Sequence, residues 1–559
     1  MTTVERTTIE RTTTGRRPAG TAAPPTESAA LAELSAGELW SAVRRAAATA
    51  PTAGPDTSTG RESVADRRVA PDRRVAAARL ITERCVLDGV PRLGWVTPAA
   101  WPEVARTVAA VRAGLTGRAD HAGPWPGGVL VLGTGGWSFA AQAVAELPTR
   151  QRDLRVLDDL RPQAIRAAVG HRSDHAPSAY LAISASGGTL ETSHLARVTP
   201  ALTGRTDRPV VWLRDRAGPG AFPLAPGGDP EHVAMLGAPL STGFLVPAAL
   251  TAPDQLPAAY GDLLRDHRSL GARAAALAVR APVTGTVRIL LVPPRWAGDG
   301  LRRWLTQLGR QVLCGKSTTF RPWVDVATGP TRVEATDPGD ADVVLDLDRH
   351  PVGLAGLMSA MYTAGVFVAC LALRAGLRPV EHTNVTAYKR LLGVTSGQPA
   401  ADTGRRDADG LGAAATGAAL PQLAAAWLAD RGGIHRLHVV AYGQVERLPS
   451  AATFAAATGR RCEVHTGPAW NHHSFQAVFP DPHTAVVVVD AGPGPAPDAT
   501  DPLRATSQAL HDVAAATHRS LAGRSLLVTV SATGTTRSDG DGHGHGHSHG
   551  DEHPTSDGG

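Results

Sequence analysis

Five short, mainly apolar runs occur between residues 129 and 236: Val129–Leu132, Leu154–Leu157, Tyr180–Ser184, Val210–Leu213 and His232–Leu236. Stretches of helical pattern separate them. A strand that is apolar on both faces must be covered on both faces, and a helix between successive strands lets them run parallel. The pattern restarts after Pro282 with strand candidates at Val287–Val292 and Val343–Leu347 and a long apolar helix near Gly353–Ala375. Further strands are expected at Leu437–Tyr442, Ala485–Asp490 and Leu526–Val530, with a helix near Leu503–Leu521. Val104, Val108 and Val111 recur at helical spacing and predict an amphipathic helix over Trp101–Leu115. The expected fold class is therefore α/β, built as two units with mainly parallel sheets flanked by helices. The first unit spans residues 95–275, and the second spans 280–530 and includes a C-terminal α/β extension.

The ends read differently. Residues 1–75 are rich in Thr, Ala, Pro, Gly and Arg and predict a disordered N-terminal arm with one short helix around Ala29–Ala48. Residues 398–419 form a flexible break, and residues 535–559 a disordered His-rich tail. In that tail His543, His545, His547, His549 and His553 alternate with small residues, a spacing that chelates Ni²⁺ or Zn²⁺ in a flexible chain. A solvated tail with incidental metal affinity accounts for it equally well.

Charge and cysteine usage narrow the function classes. A net charge of +5 over 559 residues is small and spread out, so no basic stripe for nucleic acid is expected. Cys85, Cys314, Cys370 and Cys462 lie far apart with no CxxC pair, which suggests neither a disulfide framework nor a thiolate metal site. The first residues lack an apolar h-region, and no run of eighteen apolar residues free of charge is read along the chain. These features predict a reduced, cytoplasmic, soluble protein with no cofactor and no membrane partner; a homodimer is left open. Among 56 basic residues only Lys316 and Lys389 are lysines. Arginine replaces lysine as a surface charge but not as a proton donor, because a guanidinium keeps its proton near neutral pH.

Two glycine-rich turns carry the chemistry. The first follows Val129–Leu132 as Gly133-Thr134-Gly135-Gly136-Trp137-Ser138 and opens a helix. Its glycines allow close backbone approach, and a helix N-terminus presents free N–H groups to an anion. The G-x-G-x-x-G spacing of a dinucleotide site is not met, and a ligand-free tight turn is an equal reading. The second turn, Ser184-Ala185-Ser186-Gly187-Gly188-Thr189-Leu190-Glu191-Thr192, gathers four hydroxyls and several backbone N–H groups where a helix dipole favours negative charge. An N-cap explains one hydroxyl; a phosphomonoester site explains all four.

The second turn resembles the S-x-S-G-T-T-x-E-T phosphate loop of sugar isomerase (SIS) domains, and GTGGWS resembles their G-x-G-G-S-x turn. VLDDL is similar to the V-L-D strand that follows it. The segments GAPLSTGFLVPAAL (237–250), WLTQLGRQVLCGKS (304–317), EHTNVTAYKRLLG (381–393) and GPAWNHHSFQ (467–476) are similar to glucose-6-phosphate isomerase. The similarity is greatest to the isomerase half of fused transaldolase/glucose-6-phosphate isomerase proteins. The resemblance implies two SIS-type, flavodoxin-like units, a sugar-phosphate ligand and aldose–ketose isomerisation between glucose 6-phosphate and fructose 6-phosphate. It implies phosphate binding by Ser184, Ser186, Thr189, Thr192, Gly133, Gly135 and Gly136, and catalytic positions at Lys389 and His472, with His473 a one-residue alternative. Lys316 falls on the lysine of E-S-x-G-K.

The chain departs from that family at two positions. The general-base glutamate of E-S-x-G-K corresponds to Gln311, or to Val312 in another register, and no Glu or Asp occurs from Leu301 to Trp323. A carboxamide cannot take the C2 proton. The arginine of G-G-R-[FY]-S corresponds to Pro239, which supplies no cation for an enediolate, and Trp137 stands where the family has a small Ser. Two expectations follow: catalysis rebuilt on Asp325 or Glu334, or an inactive sensor or partner protein that binds a sugar phosphate.

Overall fold

The computed structural model describes residues 30–48, 71–116, 128–327 (without 153, 171–176, 205–209, 216–217 and 219), 341–381, 419–443, 448–491 and 501–530 (without 522). Residues 398–418 of the expected break, Lys389, Glu334 and the five tail histidines lie outside these residues.

The chain opens with helices α1 (Ala36–Ala48) and α2 (Pro71–Arg84), a small antiparallel hairpin β1 (Val86–Leu87) and β2 (Val90–Pro91), and α3 (Trp101–Thr116). The first sheet follows: β3 (Val129–Leu132), α4 (Gly136–Ala145), β4 (Leu154–Leu157), α5 (Pro162–Val169), β5 (Ala179–Ile183), α6 (Leu190–Leu202), β6 (Val210–Arg214) and β7 (Ala221–Pro223). Every pair is parallel and the order is β4-β3-β5-β6-β7, the flavodoxin-like 2-1-3-4-5 arrangement. Helices α7 (Thr242–Thr251) and α8 (Leu256–Arg280) lead to a second parallel sheet, β8 (Gly285–Val292), α9 (Asp299–Leu313), β9 (Phe320–Val326) and β10 (Val343–Asp346), in order β10-β8-β9. Helix α10 (Leu354–Arg374) and α11 (Leu420–Leu428) precede a third. It comprises β11 (Arg436–Tyr442), α12 (Ala451–Thr458), β12 (Arg461–Thr466), α13 (Ala469–His473), α14 (Phe475–Val478), β13 (Thr484–Asp490), α15 (Arg504–Ser520) and β14 (Ser525–Thr529). Its order is β12-β11-β13-β14, again all parallel. The fold is α/β with parallel sheets flanked by helices, as the sequence predicts, but the C-terminal extension forms a sheet of its own.

Period-2 alternation explains how the sheets stack. Val129, Val131, Leu181 and Ile183 enter one core with α8, α10 and the second sheet. Leu130, Leu132, Tyr180 and Ala182 enter another, shared with Val440, Tyr442, Val486 and Val488 of the third sheet. The first sheet is thus covered on both faces, and the third sheet belongs to the same packed body.

Three expectations are corrected. His232–Leu236 is not a strand: Pro230, Gly237 and Pro239 break the extended run into 3₁₀ turns, Pro230–His232 and Met235–Leu240, and the fifth strand is β7. The arm at residues 1–75 is not uniformly disordered, because α1 buries Leu39, Trp40 and Val43 in the main core, with Trp40 lying where Gly271 of α8 has no side chain. The third is the apolar-run test. Leu354–Arg374 is long and apolar enough to cross a bilayer by length and composition, yet 89% of its apolar window is buried within the protein.

Candidate functional site

In a flavodoxin-like sheet the strand order reverses between its first and third strands, and a crevice opens at their carboxyl ends. Here those strands are β3 and β5, and both glycine-rich turns leave from that edge. Gly135 caps α4 with φ 85°, a conformation that favours glycine, and a Cβ there would lie 3.1 Å from His472 Nδ1. Thr189 is the N-cap of α6, but its hydroxyl does not cap the helix. It pairs instead with Ser184 Oγ at 2.8 Å. The first-turn N–H groups of both helices are therefore uncapped by side chains and face the anion-favouring end of a helix dipole.

The four hydroxyls divide. Ser186 is exposed, with its Oγ accepting from the Gly188 N–H at 3.3 Å, and Thr189 is half-buried. Ser184 is buried and braces Thr189 from beneath. Thr192 is fully buried, and its Oγ1, like that of Thr134 in the first turn, has no hydrogen-bond partner. Ser186 and Thr189 are thus the hydroxyls of the loop open to a ligand, whereas Ser184 and Thr192, which the sequence grouped with them, are buried.

A cleft lies beside these turns, with about 620 Å³ of free space including its open mouth. Gly136 and Trp137 of the first turn, Ala185 of the second, and Gln307 and Gln311 of α9 all line it. Gln311 therefore shares one cleft with both turns although it lies more than 120 residues from the second. Gln307 Nε2 donates to Gln311 Oε1 at 2.7 Å, which leaves Gln307 Oε1 buried without a partner. The cleft's charged lining is Arg92 and Asp215, joined bidentately at 2.9 and 2.8 Å. Arg92 also donates to the Pro230 carbonyl at 2.5 Å. Trp137 lines the wall, and so do Met235 and Leu236, whereas Pro239 does not.

His472 comes from the third sheet's α13 to the first turn, with Nε2 3.4 Å from Oε1 of the buried Glu191. His473 points elsewhere: its Nδ1 meets Ser474 Oγ at 2.6 Å and its ring packs edge-on to His465. Burial holds His473 well below the usual histidine range, and the His465 and Arg310 charges add to that.

Behind α9 lies a buried ionic network that no local motif announced. Arg310, one residue before Gln311, donates to both carboxylate oxygens of Glu463 at 3.0 Å, to Ser474 Oγ at 2.6 Å and to the Val324 carbonyl at 3.2 Å. Burial alone would raise the Glu463 pKa, but Arg310, His438 and His465 outweigh it and hold the carboxyl well below its ordinary value. Asp325 belongs to this network, 2.9 Å from Arg461 and 4.0 Å from Arg310, and does not line the cleft, so it is not the rebuilt base. His438, Glu463 and His465 are spaced for a metal ion. Their chemistry disagrees: Trp470 Nε1–H donates to His438 Nδ1 at 3.1 Å, which puts the proton of the neutral ring on Nε2, and Arg310 takes both Glu463 oxygens.

Lys316 does not enter the cleft. Its Nζ donates to the carbonyls of Arg378 at 2.9 Å and Glu381 at 2.7 Å, and Pro379 and Val380 between them line the cleft wall. Burial lowers its pKa to about 8, against the opposing charges of Glu381 and Cys314. Below pH 8 the ammonium is charged in both folded and unfolded states. Between about pH 8 and 10.4 the folded state loses its proton first, so stability rises with pH. Relative to Lys316→Met, the wild type should gain on the order of 1–2 kcal/mol over that window, after discounting for solvent. Urea midpoints at pH 7.5 and 10 measure this, and two curves that stay parallel would show that the ammonium is well solvated.

No protein-family model matches the chain, and no curated protein matches it. Among solved structures it is similar to a hypothetical protein from Thermus thermophilus, at 18% identity and TM-score 0.43, covering 57% of this chain and 94% of that one. A glucose-6-phosphate isomerase from Chlamydia trachomatis is similar at 11% identity and TM-score 0.37, covering 65% and 79%. Tagatose-6-phosphate ketose/aldose isomerase from Escherichia coli is similar at 15% identity and TM-score 0.32, covering 51% and 96%. At such identities and scores these likenesses assign no activity, and the reading that follows rests on the chain's own residues.

Proposed function

We propose that this chain is a SIS-type, glucose-6-phosphate isomerase-like protein that holds a sugar phosphate at the crevice between β3 and β5. The phosphate sits on Ser186, Thr189 and the uncapped N–H groups of α6, and the sugar extends into the cleft walled by Trp137, Gln307 and Gln311. The observation that carries this is the convergence of both turns and Gln311 on one cleft at the reversal of strand order. Oxygen and N–H donors at a helix N-terminus suit a phosphomonoester without a metal. Among the described residues the only carboxylate lining the cleft is Asp215, which Arg92 already engages. Binding without efficient isomerisation is therefore the reading the residues favour.

Calorimetric titration with fructose 6-phosphate and 6-phosphogluconate, beside fructose and gluconate, tests it together with a coupled assay for glucose 6-phosphate. Both phosphorylated ligands should bind and the unphosphorylated ones should not. Equal binding with and without phosphate would overturn the assignment.

A further inference from the structure

A cation lies beside the proposed phosphate loop that the loop's own sequence does not contain. Arg214 ends β6, the neighbour of β5, and its side chain runs along Gly187. A Cβ built on that glycine would lie 3.0 Å from Arg214 Cδ and 3.1 Å from Nε, and Gly187 has φ 68°, so glycine both permits the turn and leaves room for the arginine. The guanidinium lies over the Trp212 ring, 4.4 Å from its centroid. Its Nε–H is buried without a hydrogen-bond partner, and no carboxylate among the described residues pairs with it. The adjacent acid, Asp215, is taken by Arg92. A stacked, half-buried guanidinium with an unmet donor and no carboxylate partner among the described residues is suited to engage an anion.

We propose that Arg214 is a binding residue of this site, donating from its guanidinium to phosphoryl oxygens of the ligand that Ser186 and Thr189 hold. The proposal rests on the phosphosugar reading above and deepens it: the site selects a phosphate dianion through a fixed charge as well as through hydroxyls and backbone N–H groups. A planar guanidinium matches phosphate oxygens in a fork, and stacking on Trp212 holds its orientation before the ligand arrives. Binding should then tighten as pH rises through the second ionisation of the phosphate, near pH 6, and weaken with salt.

The test is calorimetric titration of the full chain with fructose 6-phosphate at low and high ionic strength, for wild type, Arg214→Gln and Arg214→Lys. Arg214→Gln should weaken binding by at least about ten-fold, the equivalent of one charge-assisted hydrogen bond, and flatten the salt dependence. Arg214→Lys should recover part of the affinity and most of the salt dependence. If Arg214→Gln disturbs folding, judged by its thermal midpoint, the lysine variant decides, and salt-independent binding by that variant overturns the proposal. Wild-type protein that binds no fructose 6-phosphate sinks the phosphosugar reading and this one with it. Wild-type protein that binds, beside an Arg214→Gln variant within about two-fold and with the same salt slope, overturns the role of Arg214 alone.

Discussion

In a coupled assay the wild-type protein should convert fructose 6-phosphate to glucose 6-phosphate at or near background. The deficit expected from a missing C2 base is about 10²–10⁴-fold. A missing oxyanion cation removes roughly 3–4 kcal/mol more of transition-state stabilisation. Gln311 lines the cleft where a base would be useful, but its carboxamide has no lone pair of suitable basicity and already accepts from Gln307 at 2.7 Å. Gln311→Glu would place a carboxylate there, within reach of the same Gln307 donor. It should raise any residual rate only modestly, because the cation that lines the cleft among the described residues, Arg92, is engaged by Asp215. Robust wild-type turnover that Gln311→Glu leaves unchanged or lowers would put the base elsewhere, with Asp215 the first position to substitute.

The largest expected effect on stability comes from Glu463. Removing one partner of a buried ion pair leaves the other charge uncompensated and typically costs about 3–5 kcal/mol. Arg310 is 6% exposed, but the Glu463 side chain is 20% exposed and Asp325 stays 4.0 Å from Arg310, so Glu463→Ala should lower stability by the low end of that range, about 3 kcal/mol, in urea titrations. Replacing both, Arg310→Met with Glu463→Leu, should recover most of the loss, because the desolvation of two ions disappears with them. The pH dependence has a definite sign. The folded-state carboxyl titrates well below its unfolded value, so its contribution is present in full above roughly pH 4.3 and is lost as pH falls through the folded value. Glu463→Gln should therefore flatten the acid limb of the wild-type stability curve. A Glu463→Ala variant as stable as wild type would mean that the network contributes nothing net.

The sequence carried the centre of the first sheet because β3 and β5 are buried on both faces and read as continuous apolar runs, whereas half-buried β7 was missed. It missed edge strands that carry polar residues: β9 holds Arg321, Pro322 and Asp325, and β12 alternates Arg461, Glu463 and His465, so neither looks apolar, whereas the apolar edges β4, β10 and β14 were legible. Proline is tolerated at an edge, where one side of the ladder is empty. The two turns were legible from local spacing, and Gln311 from the resemblance of the 304–317 segment to the family's E-S-x-G-K stretch. Arg92 with Asp215, and Arg310 with Glu463, were not, because their partners lie 123 and 153 residues apart and only packing brings them together. Arg214 had no signal at all until β6 was seen beside Gly187.

The measurement that bears most directly on the account is the affinity of the Ser186→Ala, Thr189→Ala double variant for fructose 6-phosphate, beside wild type, by calorimetry. Each hydrogen bond to a charged group is worth roughly 1.5–3 kcal/mol, so the double variant should bind at least about 100-fold more weakly while keeping its thermal midpoint. Unchanged affinity in a folded double variant would mean that the loop after β5 does not hold the phosphate, and that the crevice between β3 and β5 is not the ligand site.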